Sequence, residues 1–288
     1  MKIGFIGLGN MGAPMAANLT QHHDVTGFDP MAQPSGLTLA DSAADAAKDA
    51  DVVITMLPDG NILRDVAAQI HKAMKQDAIH LDCSTVDVQS ARAVAEMAEE
   101  HGLHAIDAPV SGGTVGATNG TLTFMAGGPL AAFETVKPLF DIMGQKAVHC
   151  GASGNGQAAK ICNNMILGVT MIATCEAFAL ADKLGLDRQA MFDVVSTSSG
   201  SSWSMNTYCP APGIGPTSPA DNDYKPGFAA ELMLKDLRLS QIAAAAADAD
   251  TPMGQAATAL YTQFVEAEDG RGKDFSAMLP RFTSRQRP

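Results

Sequence analysis

The strongest constraint on the fold stands at the start of the chain, in KIGFIGLGNMGAPMAANL at residues 2–19. Ile3, Phe5 and Ile6 make a short apolar run suited to a buried parallel strand, and Met11, Met15, Ala16 and Leu19 recur at helical spacing. Between them Gly7, Gly9 and Gly12 follow a G-x-G-x-x-G spacing. That spacing is weak alone and gains weight from a strand before it, a helix after it and an acidic residue about 20 positions on. The glycines have separate jobs. Gly7 allows the tight turn, Gly9 lets backbone approach a pyrophosphate, and Gly12 lets the helix pack close to the strand. Phosphates would rest on the free N–H groups of the helix start, with the loop residues Asn10 and Met11 part of the same expected contact.

The acidic residue is present in HDVTGFDP. Val25, Gly27 and Phe28 read as a second strand, and Asp29 ends it 22 positions after Gly7. A carboxylate there accepts hydrogen bonds from adenosine ribose hydroxyls and repels a 2′-phosphate. No arginine follows within several residues, so NAD is the expected cofactor rather than NADP. The competing reading is three turn glycines and a loop aspartate.

The βα alternation continues. Helical stretches at 42–50, 61–75, 87–101 and 129–143 separate apolar runs at 51–58, 78–85, 103–110, TLTFMAGG and KAVHCG. Alternation of this kind means an α/β fold, a Rossmann-type, doubly wound, mostly parallel sheet. Strand signals stop near residue 151, and long helical patterns follow at about 156–184, 187–196, 229–247 and 253–267. The expected organisation is a dinucleotide-binding domain over 1–155 and an all-α domain over 156–288 for substrate and oligomerisation, opened by a long interdomain helix. A Ser-, Pro- and Gly-rich loop at 198–227 divides the helices, and a long loop without structure of its own is usually functional or disordered. Aromatic residues are only 5% of the chain, so the presence of Trp203, Tyr208 and Phe228 in and beside this loop favours function. Trp203 and Tyr208 are expected against substrate and Phe228 against cofactor.

A net charge of −12 argues against nucleic-acid binding through the overall field, so any anion site must be a local concentration of donors. The five cysteines (Cys83, Cys150, Cys162, Cys175, Cys209) are odd in number and lack zinc spacing. Reduced thiols and no metal are expected. The first strand begins at residue 2 with no leader before it, which suits a cytoplasmic protein or a mature organellar one. No apolar run reaches the roughly 18 residues of a membrane span, and long Ala- and Met-rich helices suggest a homodimer or homotetramer.

Ligands of open α/β sheets bind outside the carboxyl ends of the strands, which directs attention to four segments. In LPDGN, Leu57 and Pro58 can wall the adenine and ribose, or simply belong to a strand-to-helix loop. In CSTVD, the Thr85 hydroxyl can reach the nicotinamide ribose, while Ser84, Thr85 or Asp87 can equally cap a helix. In DAPVSGGTVGA, Ser111 with the N–H groups of Gly112 and Gly113 can form an anion nest for a carboxylate, or a structural turn. In GNGQAAKICNN, Lys160 and Asn164 share a helix face at i and i+4. A lysine that loses solvent drops from a pKa of about 10.4 and can carry a proton, although a solvated face is the ordinary alternative. Lys235 and Asp236 in LMLKDLRLS fit an exposed ion-pair strip equally well.

These segments resemble the β-hydroxyacid dehydrogenase family. GFIGLGNMGAPMAANL, DAPVSGG, GNGQAAKICNN and KDLRLS match its four motifs in order over essentially the whole chain. SSWSMNTYCPAPG followed by DNDYKPGF resembles the branch acting on 3-hydroxyisobutyrate rather than its glyoxylate or tartronate-semialdehyde relatives. The resemblance implies that Lys160 is catalytic, that Ser111, Gly112, Gly113 and Asn164 meet substrate, and that Leu57, Pro58, Thr85 and Lys235 meet the cofactor. Ile62 departs from the family, standing where relatives often have a polar cofactor contact, with Asn61 beside it. The activity implied is NAD-dependent oxidation of 3-hydroxyisobutyrate in valine breakdown. Two alternatives stay open. One is another short 3-hydroxy acid or semialdehyde, such as tartronate semialdehyde or 3-hydroxypropionate; the other is a non-catalytic NAD sensor.

Overall fold

A computed structural model of the chain describes residues 1–284. The opening run forms β1 (Lys2–Ile6), buried at Ile3–Ile6 as a central parallel strand must be. After it come α1 (Gly12–Thr20), β2 (Asp24–Phe28), a two-residue strand β3 (Thr38–Leu39), α2 (Ala43–Ala47), β4 (Val52–Thr55), α3 (Gly60–Ile70), β5 (Ile79–Asp82), α4 (Val88–Glu100) and β6 (His104–Asp107). The six strands form one parallel sheet in the order β3-β2-β1-β4-β5-β6. The chain runs outward from β1 in one direction and then the other, so the loop after β1 sits at the switch point where such sheets take their ligands.

The pairing register brings Phe28, Ile6, Thr55, Asp82 and Asp107 into one row near the carboxyl ends of five neighbouring strands. Polar residues in a buried row need partners. Thr55 Oγ1 donates to Asp82 Oδ1 at 2.7 Å and lies 3.0 Å from His80 Nε2, and His80 Nδ1 lies 2.9 Å from His71 Nε2. Burial keeps both histidines neutral, with His71 lowered to about 4 and His80 well below its ordinary value.

The later strands depart from the expected single sheet. β7 (Val110–Ser111), α5 (Gly113–Asn119), β8 (Leu122–Ala126), α6 (Leu130–Met143) and β9 (Gly144–His149) build a second, three-stranded sheet in the order β7-β8-β9. Pro109 intervenes between β6 and β7; it has no N–H to continue the ladder, and its carbonyl accepts from Met125 N instead. Neither the mostly apolar pattern of β8 nor the mixed pattern of β9 reveals which sheet they join. Helix α5 and the two-residue strands β3 and β7 were not expected either, since they are short and α5 is rich in glycine.

Contacts divide the chain into two compact units, Met1–Lys160 and a second beginning at Ile161. The division falls inside a 30-residue helix, α7 (Asn155–Leu184), rather than at its start. One 18-residue window of α7 is apolar enough on average to cross a membrane, although no unbroken apolar run of that length occurs in the sequence. Half of that window is buried within the chain, and Lys160, Asn163 and Asn164 lie elsewhere on the helix or at the window's edge, as suits a core helix. The second unit continues with α8 (Arg188–Val195), α9 (Trp203–Asn206), α10 (Ala230–Ala246), α11 (Pro252–Ala267) and α12 (Met278–Ser284). It has its own core, including Met171, Phe178, Met233, Leu237, Tyr261 and Phe275. Its surface leaves Ile166, Leu180, Leu184, Val194 and Met253 at least 60% exposed.

The 198–227 segment is not the structureless loop that its composition suggests. It contains α9 and a 3₁₀ turn at Pro219–Asn222, and buries Met205, Cys209, Ala211 and Ala220. Its far end is held by Asp274, which is fully buried. Asp274 Oδ2 accepts from Tyr208 Oη at 2.9 Å and from the N–H groups of Gly227 and Phe228 at 3.0 Å, while Oδ1 accepts from Ser276 N and Oγ. Asp274→Ala should therefore cost about 3 kcal/mol or more, because it strands several buried donors at once. Urea denaturation would read the loss, and one below about 1 kcal/mol would show that the carboxylate does not hold this segment.

Candidate functional site

The glycine loop is built as the spacing requires. Gly7 has φ +94°, and a Cβ there would stand 2.3 Å from Met56 O. A Cβ on Gly12 would stand 1.8 Å from Gly7 O, so the helix touches the loop backbone directly. Gly9 differs: it is exposed, and a Cβ there meets no atom of the chain within 4 Å. The fold needs glycine at 7 and 12, but at 9 the unfilled space fits an approaching ligand. Met11 is the N-cap of α1 and its side chain caps nothing, whereas α2, α3 and α4 are capped by Ser42, Asp59 and Asp87. Open donors at a helix start suit a phosphate. These features fit a dinucleotide.

Asp29 closes the other side of this loop. Its Oδ2 accepts from Leu8 N at 2.7 Å, and its Oδ1 from Met31 N and Ala32 N at 2.8 Å. Partial burial alone would raise its pKa, but the three N–H bonds outweigh burial and hold the carboxyl below its ordinary value. Asp29 is thus a fixed anion at the end of β2.

The loops after β4 and β5 are joined by Ser84, whose Oγ accepts from Leu57 N at 2.8 Å and donates to Asp82 Oδ1 at 2.5 Å. Asp59 caps α3, accepting from Asn61 N and Ile62 N. Ile62 is 40% exposed on that first turn, and Asn61 Oδ1 accepts from Arg64. Asp87 caps α4, so the capping role considered for Ser84 and Thr85 falls to neither. Leu57 and Thr85 are half-buried and Pro58 is exposed along this edge.

Ser111 ends β7 half-buried. Gly112 and Gly113 follow with φ of +133° and +61°, conformations that glycine adopts without a Cβ penalty. As at α1, no side chain caps the helix that begins here.

Four residues before Ser111, Asp107 caps the start of α7 from another element. Its Oδ1 accepts from Gly154 N at 2.7 Å and its Oδ2 from Gln157 N at 2.9 Å. Gly154 has φ +87°, and a Cβ on Gly156 would lie 2.3 Å from the carbonyls of Asp107 and Met125. The GNG of the motif therefore lets the helix start press against β6 and β8. Burial raises the Asp107 pKa to about 7, opposed by the two N–H bonds and reinforced by Asp82 on the adjacent strand. Lys160 lies one turn into this helix and is 7% exposed, which excludes the solvated-face reading.

In the second unit Asn164 is 1% exposed. Its Nδ2 donates to Asp236 Oδ2 at 2.5 Å and its Oδ1 accepts from Asn163 Nδ2 at 2.9 Å, which fixes the amide's orientation. Asp236 is buried, 3.9 Å from a partly exposed Lys235, so the exposed-strip reading does not hold for it. Trp203 is half exposed and stacks on Tyr208 with ring centroids 4.8 Å apart. The Tyr208 hydroxyl expected at substrate is already bonded to Asp274, and Phe228 packs edge-on against Phe275. Sequence reasoning gave no role to Asp107, Gln157 or Asp274, and gave Asp236 only a place in an ion-pair strip. Asp107, Gln157 and Asp236 lie inside the quoted motifs, and a polar residue in an apolar stretch was the available signal.

Comparison with known proteins agrees with this architecture. Residues 2–151 match the family model described as the NAD binding domain of 6-phosphogluconate dehydrogenase. Residues 154–282 match that described as NAD-binding of NADP-dependent 3-hydroxyisobutyrate dehydrogenase. The chain is 47% identical over 98% of its length, and 98% of the relative's, to a probable 3-hydroxyisobutyrate dehydrogenase of Mycobacterium tuberculosis. It is 43% identical over 99% of each chain to an NAD-dependent L-serine dehydrogenase of Pseudomonas aeruginosa. A solved structure of the Mycobacterium tuberculosis 3-hydroxyisobutyrate dehydrogenase with L-serine superposes with a TM-score of 0.94, at 46% identity over 98% of this chain and 99% of that one.

The contrast between Gly9 and Gly12 is testable. Gly12→Ala should cost about 3 kcal/mol, since the added methyl overpacks against backbone. Gly9→Ala should change stability by less than about 1 kcal/mol yet weaken NAD⁺ binding about tenfold or more. Thermal unfolding and NAD⁺ titration calorimetry would check both, and wild-type NAD⁺ affinity in Gly9→Ala would remove this loop from the cofactor site.

Proposed function

The chain belongs to the 3-hydroxyisobutyrate dehydrogenase family of NAD-dependent oxidoreductases, and from that premise we propose that it oxidises 3-hydroxyisobutyrate to methylmalonate semialdehyde, a step of valine breakdown. The observation that carries the reading is Lys160, buried one helical turn before Asn164 in a helix whose start is fixed by Asp107. Gly7, Gly9, Asn10, Met11, Gly12, Asp29, Leu57, Pro58, Ile62 and Thr85 would hold the dinucleotide. Bound NAD⁺ supplies the hydride acceptor.

The rest of the chemistry belongs to the chain. Ser111 and the N–H groups of Gly112 and Gly113 bind the substrate carboxylate. Neutral Lys160 takes the proton of the primary hydroxyl as hydride leaves the same carbon, and in the reverse direction protonated Lys160 returns it. Asn164, its amide held by Asp236 and Asn163, keeps the hydroxyl in line. Such positioning can be worth several kcal/mol. A second reading, L-serine as substrate, is favoured by one relative named an L-serine dehydrogenase and by another, named a 3-hydroxyisobutyrate dehydrogenase, solved with L-serine. Serine has the same carboxylate and primary hydroxyl, with an amino group in place of the methyl.

Turnover of 3-hydroxyisobutyrate, 3-hydroxypropionate, tartronate semialdehyde and L-serine, with NAD(H) and NADP(H), tests the substrate and cofactor. The highest kcat/KM should fall on 3-hydroxyisobutyrate, with NAD⁺ preferred at least about tenfold over NADP⁺; Asp29→Asn should narrow that preference by removing the charge that repels a 2′-phosphate. A higher kcat/KM for L-serine would transfer the assignment to the second reading, and no turnover of any would leave an NAD-binding protein without this chemistry.

Lys160→Ala should lower kcat by about 10²–10⁴-fold, the size of a general acid–base contribution, with NAD⁺ still bound. Lys160→Arg should not restore it, because a guanidinium keeps its proton. Oxidation by the wild type should rise with pH as Lys160 loses its proton. A near-normal rate and unchanged pH profile in Lys160→Ala would move the proton transfer to another group.

A further inference from the structure

Gln157 is the most conspicuous polar residue that the mechanism leaves unused. It is completely buried, three residues before Lys160 in the first turn of α7. Its Oε1 accepts from Val86 N at 3.1 Å and its Nε2 donates to Ser84 O at 2.8 Å. A backbone N–H can only donate and a carbonyl only accept, so the amide has one possible orientation. Thr85 lies between the two residues it grips. The backbone N–H of Gln157 is meanwhile bonded to Asp107 Oδ2. One helical turn is therefore tied on two sides, to the end of β6 through Asp107 and to the loop after β5 through the amide.

An apolar side chain of similar volume would fill this position without the cost of burying an amide. What the amide adds is register. Two hydrogen bonds of defined direction prevent the first turn of α7 from sliding or rotating against the Ser84–Val86 backbone, whereas a methionine packs in many positions. The same loop is held from its other side, since Ser84 Oγ accepts from Leu57 N. We propose that Gln157 is a positioning residue that clamps the lysine-bearing helix to the loop carrying Thr85, and so fixes the proton-accepting group relative to the cofactor end of the site. This rests on the roles given above to Lys160 and Thr85.

The test uses the full chain with Gln157→Met, which keeps the volume and deletes both bonds, and Gln157→Glu. Hydrogen exchange over 84–88 and 155–162 reads the clamp without turnover. Both segments should exchange at least about tenfold faster in Gln157→Met, with the rest of the sheet unchanged. NAD⁺ should protect 84–88 in the wild type and do so less in the variant. In turnover, kcat should fall about 10- to 100-fold while KM for NAD⁺ moves less than about threefold, and the primary deuterium isotope effect on kcat should rise, as expected when reactants are misaligned rather than unbound.

Gln157→Glu adds a readout that a merely structural role would not move. A protonated carboxyl can accept from Val86 N and donate to Ser84 O, as the amide does, and a carboxylate cannot donate. The exchange and rate of this variant, each relative to wild type at the same pH, should therefore recover as pH falls. This arm decides the matter if Gln157→Met does not fold. Unchanged exchange in both segments, or faster exchange with wild-type kcat and isotope effect, would overturn the clamp. A normal rate in Lys160→Ala would overturn the acid–base reading instead, leaving the exchange results to judge the hydrogen bonds.

Discussion

The carboxylate of Asp107 is the point on which the site depends. It ends β6, faces a second buried aspartate across the register at Asp82, and spends its two oxygens on Gly154 N and Gln157 N at the start of α7. Burial raises Asp107 to about 7, and the neighbouring buried carboxyl of Asp82 adds to the rise. The compensation is local. The helix start supplies N–H groups and the positive end of its dipole to Asp107, while Thr55 and Ser84 donate to Asp82. The strain of the pair and the placement of Lys160 are two consequences of one arrangement.

The same physics divides the helices of the first unit by task. Asp59 and Asp87 cap α3 and α4 from within their own loops, satisfying donors that would otherwise be open. The starts of α1, α5 and α6 have glycine-rich approaches and no side-chain cap, and anions are expected at the first two of them. A side-chain cap and an anion compete for the same N–H groups. In the second unit buried carboxylates act as organisers: Asp274 gathers Tyr208, Gly227 and Phe228, and Asp236 orients Asn164.

Much of this was legible in the sequence because it depends on neighbours along the chain. The G-x-G-x-x-G turn, the buried parallel strands and the long helices follow from local sterics and periodicity, and appear close to where the sequence places them. The membership of β8 and β9 in a separate sheet was not legible, since an apolar strand pattern carries no information about its partner and only Pro109 marks the break. Helix α9 and the 3₁₀ turn at Pro219–Asn222 were hidden in a composition that reads as loop. They form because Ser202 and Ser218 cap them and Met205, Cys209 and Ala220 find a core.

By itself, the sequence determined the fold class, the glycine turn after β1, and the family whose motifs contain Lys160 and Asn164, because each is written in short-range spacing that any folded form must respect. Tertiary structure alone decided what orients those residues. Asp107 meets Gly154 across 47 positions, Gln157 meets Ser84 across 73, Asn164 meets Asp236 across 72, and Tyr208 meets Asp274 across 66. A hydrogen bond between residues that far apart leaves no periodic trace in the chain, and its partners become identifiable only when the backbone brings a buried donor to a buried acceptor that has to be satisfied.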